Sequence, residues 1–118
     1  MVLVDTSVWV EHLRSGTTGL EASLNGGLVV CHPFIVGELA CGNLKNRSQI
    51  LSLLDTLPSA QLADHEEVML FIESNRLMGK GLGYIDVRLL ASAVLTNVPL
   101  WTFDKRLNKA AAMLGIKF

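Results

Sequence analysis

Short continuous apolar runs alternate along this chain with segments in which apolar residues recur every three to four positions. Val2, Leu3 and Val4 form the first run, and Asp5, Thr6 and Ser7 end it abruptly. Such a run, bounded by polar residues, predicts a buried central strand. From Val8 to Leu13 the pattern turns helical, with Trp9 and Leu13 inward and Glu11, His12 and Arg14 outward. A turn at Ser15 to Thr18 leads to a short helix, Leu20 to Leu24, that Asn25, Gly26 and Gly27 terminate. Leu28 to Cys31 predicts a second buried strand, after which His32 and Pro33 turn the chain into a helix from Phe34 to about Leu44.

Arg47 to Leu57 is amphipathic, with Ile50, Leu51, Leu53 and Leu54 on one side, and Pro58 closes it. Gln61 and Leu62 predict a brief edge strand. Asp64 caps a long helix to about Met78, with Val68, Met69, Phe71, Ile72 and Leu77 as its core residues. The following Gly79-Lys80-Gly81-Leu82-Gly83 follows a helix rather than a strand and lacks the GK[ST] ending of a phosphate loop, so it reads as a helix end and connector. A helix from Asp86 to about Thr96 is broken by Asn97, Val98 and Pro99. Leu100 to Phe103 then forms a buried strand that stops at Asp104. A last helix ends before Gly115, and Ile116 to Phe118 is a short terminal strand. This order predicts an α/β fold: a single domain over residues 1–118, with a short parallel sheet flanked by helices on both sides.

The topology gives the acids their meaning. About ten helical residues at 1.5 Å each run out roughly 15 Å, and about five strand residues at 3.3 Å return roughly 16 Å, so Asp86 and Asp104 should finish on one edge. Asp5 leaves the first strand at that edge, and Glu38 lies in a helix that follows the second. In open α/β sheets this edge is where ligands bind. Asp5 taken alone would also serve as a helix cap, and Glu38 taken alone would also point to water. Together, converging carboxylates cannot all stay ionised without cations, and their oxygens suit Mg²⁺ or Mn²⁺. Such a site serves phosphodiester hydrolysis by metal-activated water, with Thr6, Ser7 and Thr102 as supporting hydroxyls. No serine or cysteine paired with histidine suggests covalent chemistry, and His65-Glu66-Glu67 lacks the HExxH spacing of a zinc protease.

Composition adds two points. Half of the 118 residues are apolar and mean hydropathy is +0.41, which predicts exposed apolar surface that another chain covers. No run approaches a membrane span and no cleavable leader is evident, so a cytoplasmic protein without a membrane is expected. Charge is uneven: residues 1–74 carry 3 Lys/Arg against 9 Asp/Glu, and residues 75–118 carry 7 against 2. Lys80, Lys105 and Arg106 therefore become candidate contacts to a substrate phosphate at the rim of the acidic edge. Cys31 and Cys41 fit no metal-binding spacing and read as reduced core thiols.

At the acidic positions the chain resembles a known family. Val2-Leu3-Val4-Asp5-Thr6-Ser7, Glu38 within GELACG, Tyr84-Ile85-Asp86 leading into LLASA, and Leu100-Trp101-Thr102-Phe103-Asp104-Lys105 resemble, in order and spacing, the four motifs of PIN-domain ribonucleases, nearest to the VapC-type toxins of toxin–antitoxin systems. The resemblance implies an acidic quartet of Asp5, Glu38, Asp86 and Asp104, supported by Thr6 or Ser7 and Thr102. It implies a Mg²⁺- or Mn²⁺-dependent endoribonuclease acting on tRNA, rRNA or mRNA. It also implies a homodimer neutralised by a VapB-type antitoxin whose tail lies in an apolar groove near the site. Two other catalytic or signalling readings fit less well: a haloacid dehalogenase-type phosphatase needs a second acid where Ser7 stands, and a receiver-like signalling module needs paired acids after the first strand. A non-catalytic binding domain on the same scaffold is the remaining alternative.

Overall fold

The computed structural model describes residues 1–118. Three strands, β1 (Val2–Val4), β2 (Val29–Val30) and β3 (Leu100–Trp101), form a parallel sheet in the order β2-β1-β3. Seven helices flank it: α1 (Thr6–Ser15), α2 (Leu20–Asn25), α3 (Pro33–Ala40), α4 (Arg47–Thr56), α5 (His65–Asn75), α6 (Tyr84–Thr96) and α7 (Lys105–Met113). Every β1 residue is buried, as a central strand covered on both faces requires. Val2, Leu3 and Val4 belong to one continuous core with Val8, Trp9, Ile35, Leu39, Leu89, Leu90, Leu100 and Leu107. No helix is long and apolar enough to cross a membrane.

Register decides where the polar residues emerge. Leu3 lies opposite Leu100 and Val4 opposite Trp101, and the Asp5 N–H donates to the Trp101 carbonyl at 2.9 Å. One step further along, Asp5 meets Thr102. Two residues that are 97 positions apart are thereby neighbours at the C-terminal edge of the sheet.

Several expectations change. The brief strand at Gln61 and Leu62 does not form: the added pairing is a single bridge between Cys31 and Ser59, and the Gln61 N–H is taken by the Thr96 hydroxyl at 2.9 Å. The terminal strand reduces to one bridge, Leu100 to Lys117. Helix α3 stops at Ala40, short of Leu44, and Arg47 reaches back to the Ala40 carbonyl at 3.1 Å and satisfies one of the helix's free acceptors. Helix α5 stops at Asn75, where Arg76 adopts a left-handed conformation (φ 53°). Leu53 and Met69, expected in the core, are exposed. Cys31 is a buried thiol as expected, whereas Cys41 is free and exposed, just past the end of α3.

Candidate active site

Only four polar or charged residues are buried, and they form two hydrogen-bonded pairs: Asp5 with Thr102, and His32 with Ser92. The first pair is the centre of the acidic edge. Asp5 occupies the position before α1, yet its carboxylate caps nothing. Instead Oδ2 accepts from the Thr102 hydroxyl at 2.7 Å and the Ser7 hydroxyl at 2.8 Å. Each hydroxyl has one proton, and both protons are spent on Asp5, so the 3.3 Å approach of Ser7 to Thr102 carries none. Their lone pairs accept backbone N–H groups instead, Phe103 onto Ser7 at 3.0 Å and Asp104 onto Thr102 at 3.0 Å. The turn after β3 is thus tied to the turn after β1.

The other acids are held by the elements that carry them. Asp104 caps α7, its Oδ1 accepting the Arg106 and Leu107 N–H groups at 2.9 and 3.0 Å. Asp86, in the first turn of α6, reaches back with Oδ2 to the Gly83 N–H at 2.9 Å. Glu38, exposed on α3, accepts the Thr6 hydroxyl on Oε1 at 2.8 Å, which ties it to the residue following Asp5.

One arrangement recurs in all four. Each carboxylate is anchored through one oxygen, while the other, Asp5 Oδ1, Glu38 Oε2, Asp86 Oδ1 and Asp104 Oδ2, takes no hydrogen bond from the protein. None is paired with a cation, since the chain's single ion pair joins Arg14 to Glu11. Asp86 registers the crowding: burial raises its pKa, repulsion from Asp104 and Asp5 adds to this, and the Gly83 N–H opposes it. Three acids therefore share one field. Even so, no three carboxylate, histidine or thiol groups converge tightly enough to make a ready metal-ligand set. The donor set is nonetheless the chemistry a hard divalent cation takes, four carboxylates with free oxygens and no nitrogen or sulfur among them.

Two features were not anticipated from the sequence. His32 is almost wholly buried before α3, its Nδ1 accepting the Phe34 N–H at 3.0 Å and its Nε2 lying 3.1 Å from the Ser92 hydroxyl. Burial, with the Arg88 charge in addition, lowers its pKa to about 4, so the ring stays neutral and can accept at Nδ1. A histidine directly before Pro33 at a helix start was the available signal. Arg88 on α6 donates to the Ala63 carbonyl at 2.7 Å and to the Tyr84 hydroxyl at 2.9 Å, and lies over the Phe34 ring at 4.9 Å. It braces α6, which carries Asp86, against the start of α3.

Comparison with known proteins shows the family. The model of the family described as "PIN domain" matches residues 2–113. Two curated proteins named Ribonuclease VapC32, from Mycobacterium tuberculosis strains CDC 1551 / Oshkosh and ATCC 25618 / H37Rv, are each 44% identical over 117 residues, covering 98% of this chain and 94% of the relative.

Proposed function

This chain belongs to the PIN domain family, and from that premise we propose that it is a Mg²⁺- or Mn²⁺-dependent endoribonuclease of the VapC type. The observation that carries the reading is the shared pose of Asp5, Glu38, Asp86 and Asp104, each with one oxygen fixed by the protein and one left free of it. The relatives' name, Ribonuclease VapC32, supports RNA as the substrate.

The divalent ion would be held by these four acids, and when bound it supplies polarisation of a phosphoryl oxygen and a lowered pKa for water. The chain's own residues supply positioning. Ser7 and Thr102 fix the Asp5 carboxylate from one side, so that Oδ1 faces away from the protein donors. Thr6 fixes Glu38 in the same way, and the first turn of α7 fixes Asp104. Cleavage then needs no nucleophilic side chain: the one serine in this network, Ser7, spends its proton on Asp5, and no histidine stands beside it to act as a base.

The same reading includes a VapB-type antitoxin, a homodimer and a cytoplasmic setting. A recess of about 340 Å³ beside Glu38, lined by Pro33, Phe34, Gly37, Cys41 and Ile85, supports a docked apolar segment. Exposed Met69 and Leu70 on α5 and Val94 and Leu95 on α6 support a second covered face. The decisive experiment is cleavage of tRNA, rRNA and mRNA by purified protein with Mg²⁺ or Mn²⁺, with and without EDTA, followed by sequencing of the new 5′ ends. Loss of cleavage with EDTA and in Asp5→Asn is the expected result. Cleavage that survives both, or transfer of phosphate from acetyl phosphate to Asp5, would overturn the assignment. For the antitoxin, induced expression should arrest growth unless the neighbouring small reading frame is co-expressed.

A further inference from the structure

Beyond the acids, a surface recess of about 300 Å³ lies between the connector before α6 and the side of α7. It is lined by Gly79, Lys80, Arg106, Lys109, Ala110 and Met113. We propose that it is an anion subsite that grips an RNA backbone phosphate flanking the bond to be cut; this rests on the ribonuclease reading above.

Three cations and no acid line the recess. None of the three forms an ion pair, because the chain's only one is Arg14 with Glu11. Arg106 and Lys109 are three positions apart on α7, so they share a face, and like charges at that spacing cost a helix some stability. An anion between them reverses that cost.

Glycine shapes the wall. Gly81 has φ +75°, and a Cβ there would lie 2.7 Å from Arg106 Cδ and 2.8 Å from its Nη1. The Arg106 side chain thus lies against the connector more closely than a Cβ at position 81 would allow in this pose, which leaves its exposed guanidinium beside the recess. One guanidinium and two ammonium groups around a small recess suit a compact oxyanion such as phosphate. The position fits as well: Arg106 stands two residues beyond Asp104, so a strand laid across the acids passes the recess with an adjacent phosphate. Of the three cations expected to touch RNA, Lys80 and Arg106 line the recess and Lys105 does not; Lys109 joins them.

The test compares Lys80→Gln/Lys109→Gln with wild type in RNA cleavage across a KCl series. Lys45→Gln/Lys117→Gln, which removes two exposed cations outside the recess, is the control. The recess variant should raise KM about tenfold and flatten the dependence of log KM on log salt by roughly 1 per contact removed, at unchanged kcat. The control should match wild type. Gly81→Ala, which displaces the arginine, should raise KM in the same direction. A recess variant with wild-type KM and salt slope would overturn the subsite while leaving the nuclease assignment intact. Equal effects in recess and control variants would overturn it too, as would displacement of RNA by a glutamate-rich peptide at lower concentration than by tripolyphosphate. A wild-type protein that cleaves no RNA would remove both readings.

Discussion

Thr102 donates its hydroxyl to Oδ2 of Asp5 at 2.7 Å, across 97 positions of sequence, and this bond is buried. It follows from the pairing of β1 with β3 one step beyond Val4 and Trp101. Its partner interactions, Ser7 on the same oxygen and the Asp104 N–H on Thr102, make it the joint between the two ends of the acidic edge. Replacing the hydroxyl by a methyl in Thr102→Val leaves shape almost unchanged but removes the bond to Asp5 and the acceptor of the Asp104 N–H. We expect cleavage to fall by about 10- to 100-fold, as for other residues that orient metal ligands. Stability should fall by about 1–3 kcal/mol, the cost of an unsatisfied buried polar group. Thr102→Ser should recover most of each, measured by single-turnover cleavage and urea denaturation.

Asp86 and Asp104 should separate in stability while agreeing in activity. The Asp86 charge is opposed by burial and by Asp104 and Asp5, so Asp86→Asn, which still accepts from Gly83, should abolish cleavage yet match or exceed wild-type stability without metal. Asp104→Ala should abolish cleavage and lose about 1 kcal/mol, because the cap of α7 goes with it. Thermal melts in EDTA decide this, and a destabilised Asp86→Asn would refute the electrostatic account.

Divalent metal should stabilise the folded chain by mass action. At about 100 times Kd the gain is roughly 2.7 kcal/mol, so Mn²⁺ titrated into wild type should raise the melting temperature progressively. Asp5→Asn should show a much smaller rise, since it removes one of the four carboxylates. Equal shifts in the two proteins would place the ion elsewhere.

Acid should weaken the fold through His32. Its pKa is about 4 when folded, against an ordinary 6.5. Between those values the unfolded chain binds a proton that the folded chain refuses, so stability declines as pH falls from 6.5 and the decline levels off below about 4. The full loss is on the order of 3 kcal/mol. Asp86 works in the opposite sense: its raised pKa makes the charged form costly, and protonation recovers stability as pH falls. His32→Asn keeps an acceptor for the Phe34 N–H without titrating, so its urea midpoint should change less from pH 7 to pH 4.5 than that of wild type. Parallel profiles would exclude His32 as the cause.

The two thiols should differ in reactivity. Cys41 is exposed, whereas Cys31 is buried and its pKa is raised chiefly by that burial. A thiol reagent should modify one cysteine per native chain quickly and the second only on unfolding. Peptide mapping should locate the fast site at Cys41.

What was legible in the sequence is what depends on local pattern. The run Val2-Leu3-Val4 had to be a buried strand. The Asp64 cap, the break at Asn97 to Pro99 and the acids directly after the first strand and after Leu100 to Phe103 were readable from residue type and spacing, as was the resemblance to PIN-domain ribonucleases. Marginal strands were not, because two residues such as Gln61 and Leu62 have no preference strong enough to outweigh a competing partner, here the Thr96 hydroxyl.

Tertiary structure alone decided the use of each polar group. Asp5 and Asp104 both precede a helix, and sequence treats them alike; folding sends Asp104 to cap α7 and turns Asp5 toward Thr102 and Ser7. The burial of His32, the bracing of α6 by Arg88 and the seating of Arg106 on Gly81 likewise depend on residues remote in the chain. Periodicity determines which residues leave water, because that is a property of one element at a time. Which hydrogen bond a side chain makes depends on which element arrives beside it, and that is settled only when the sheet closes.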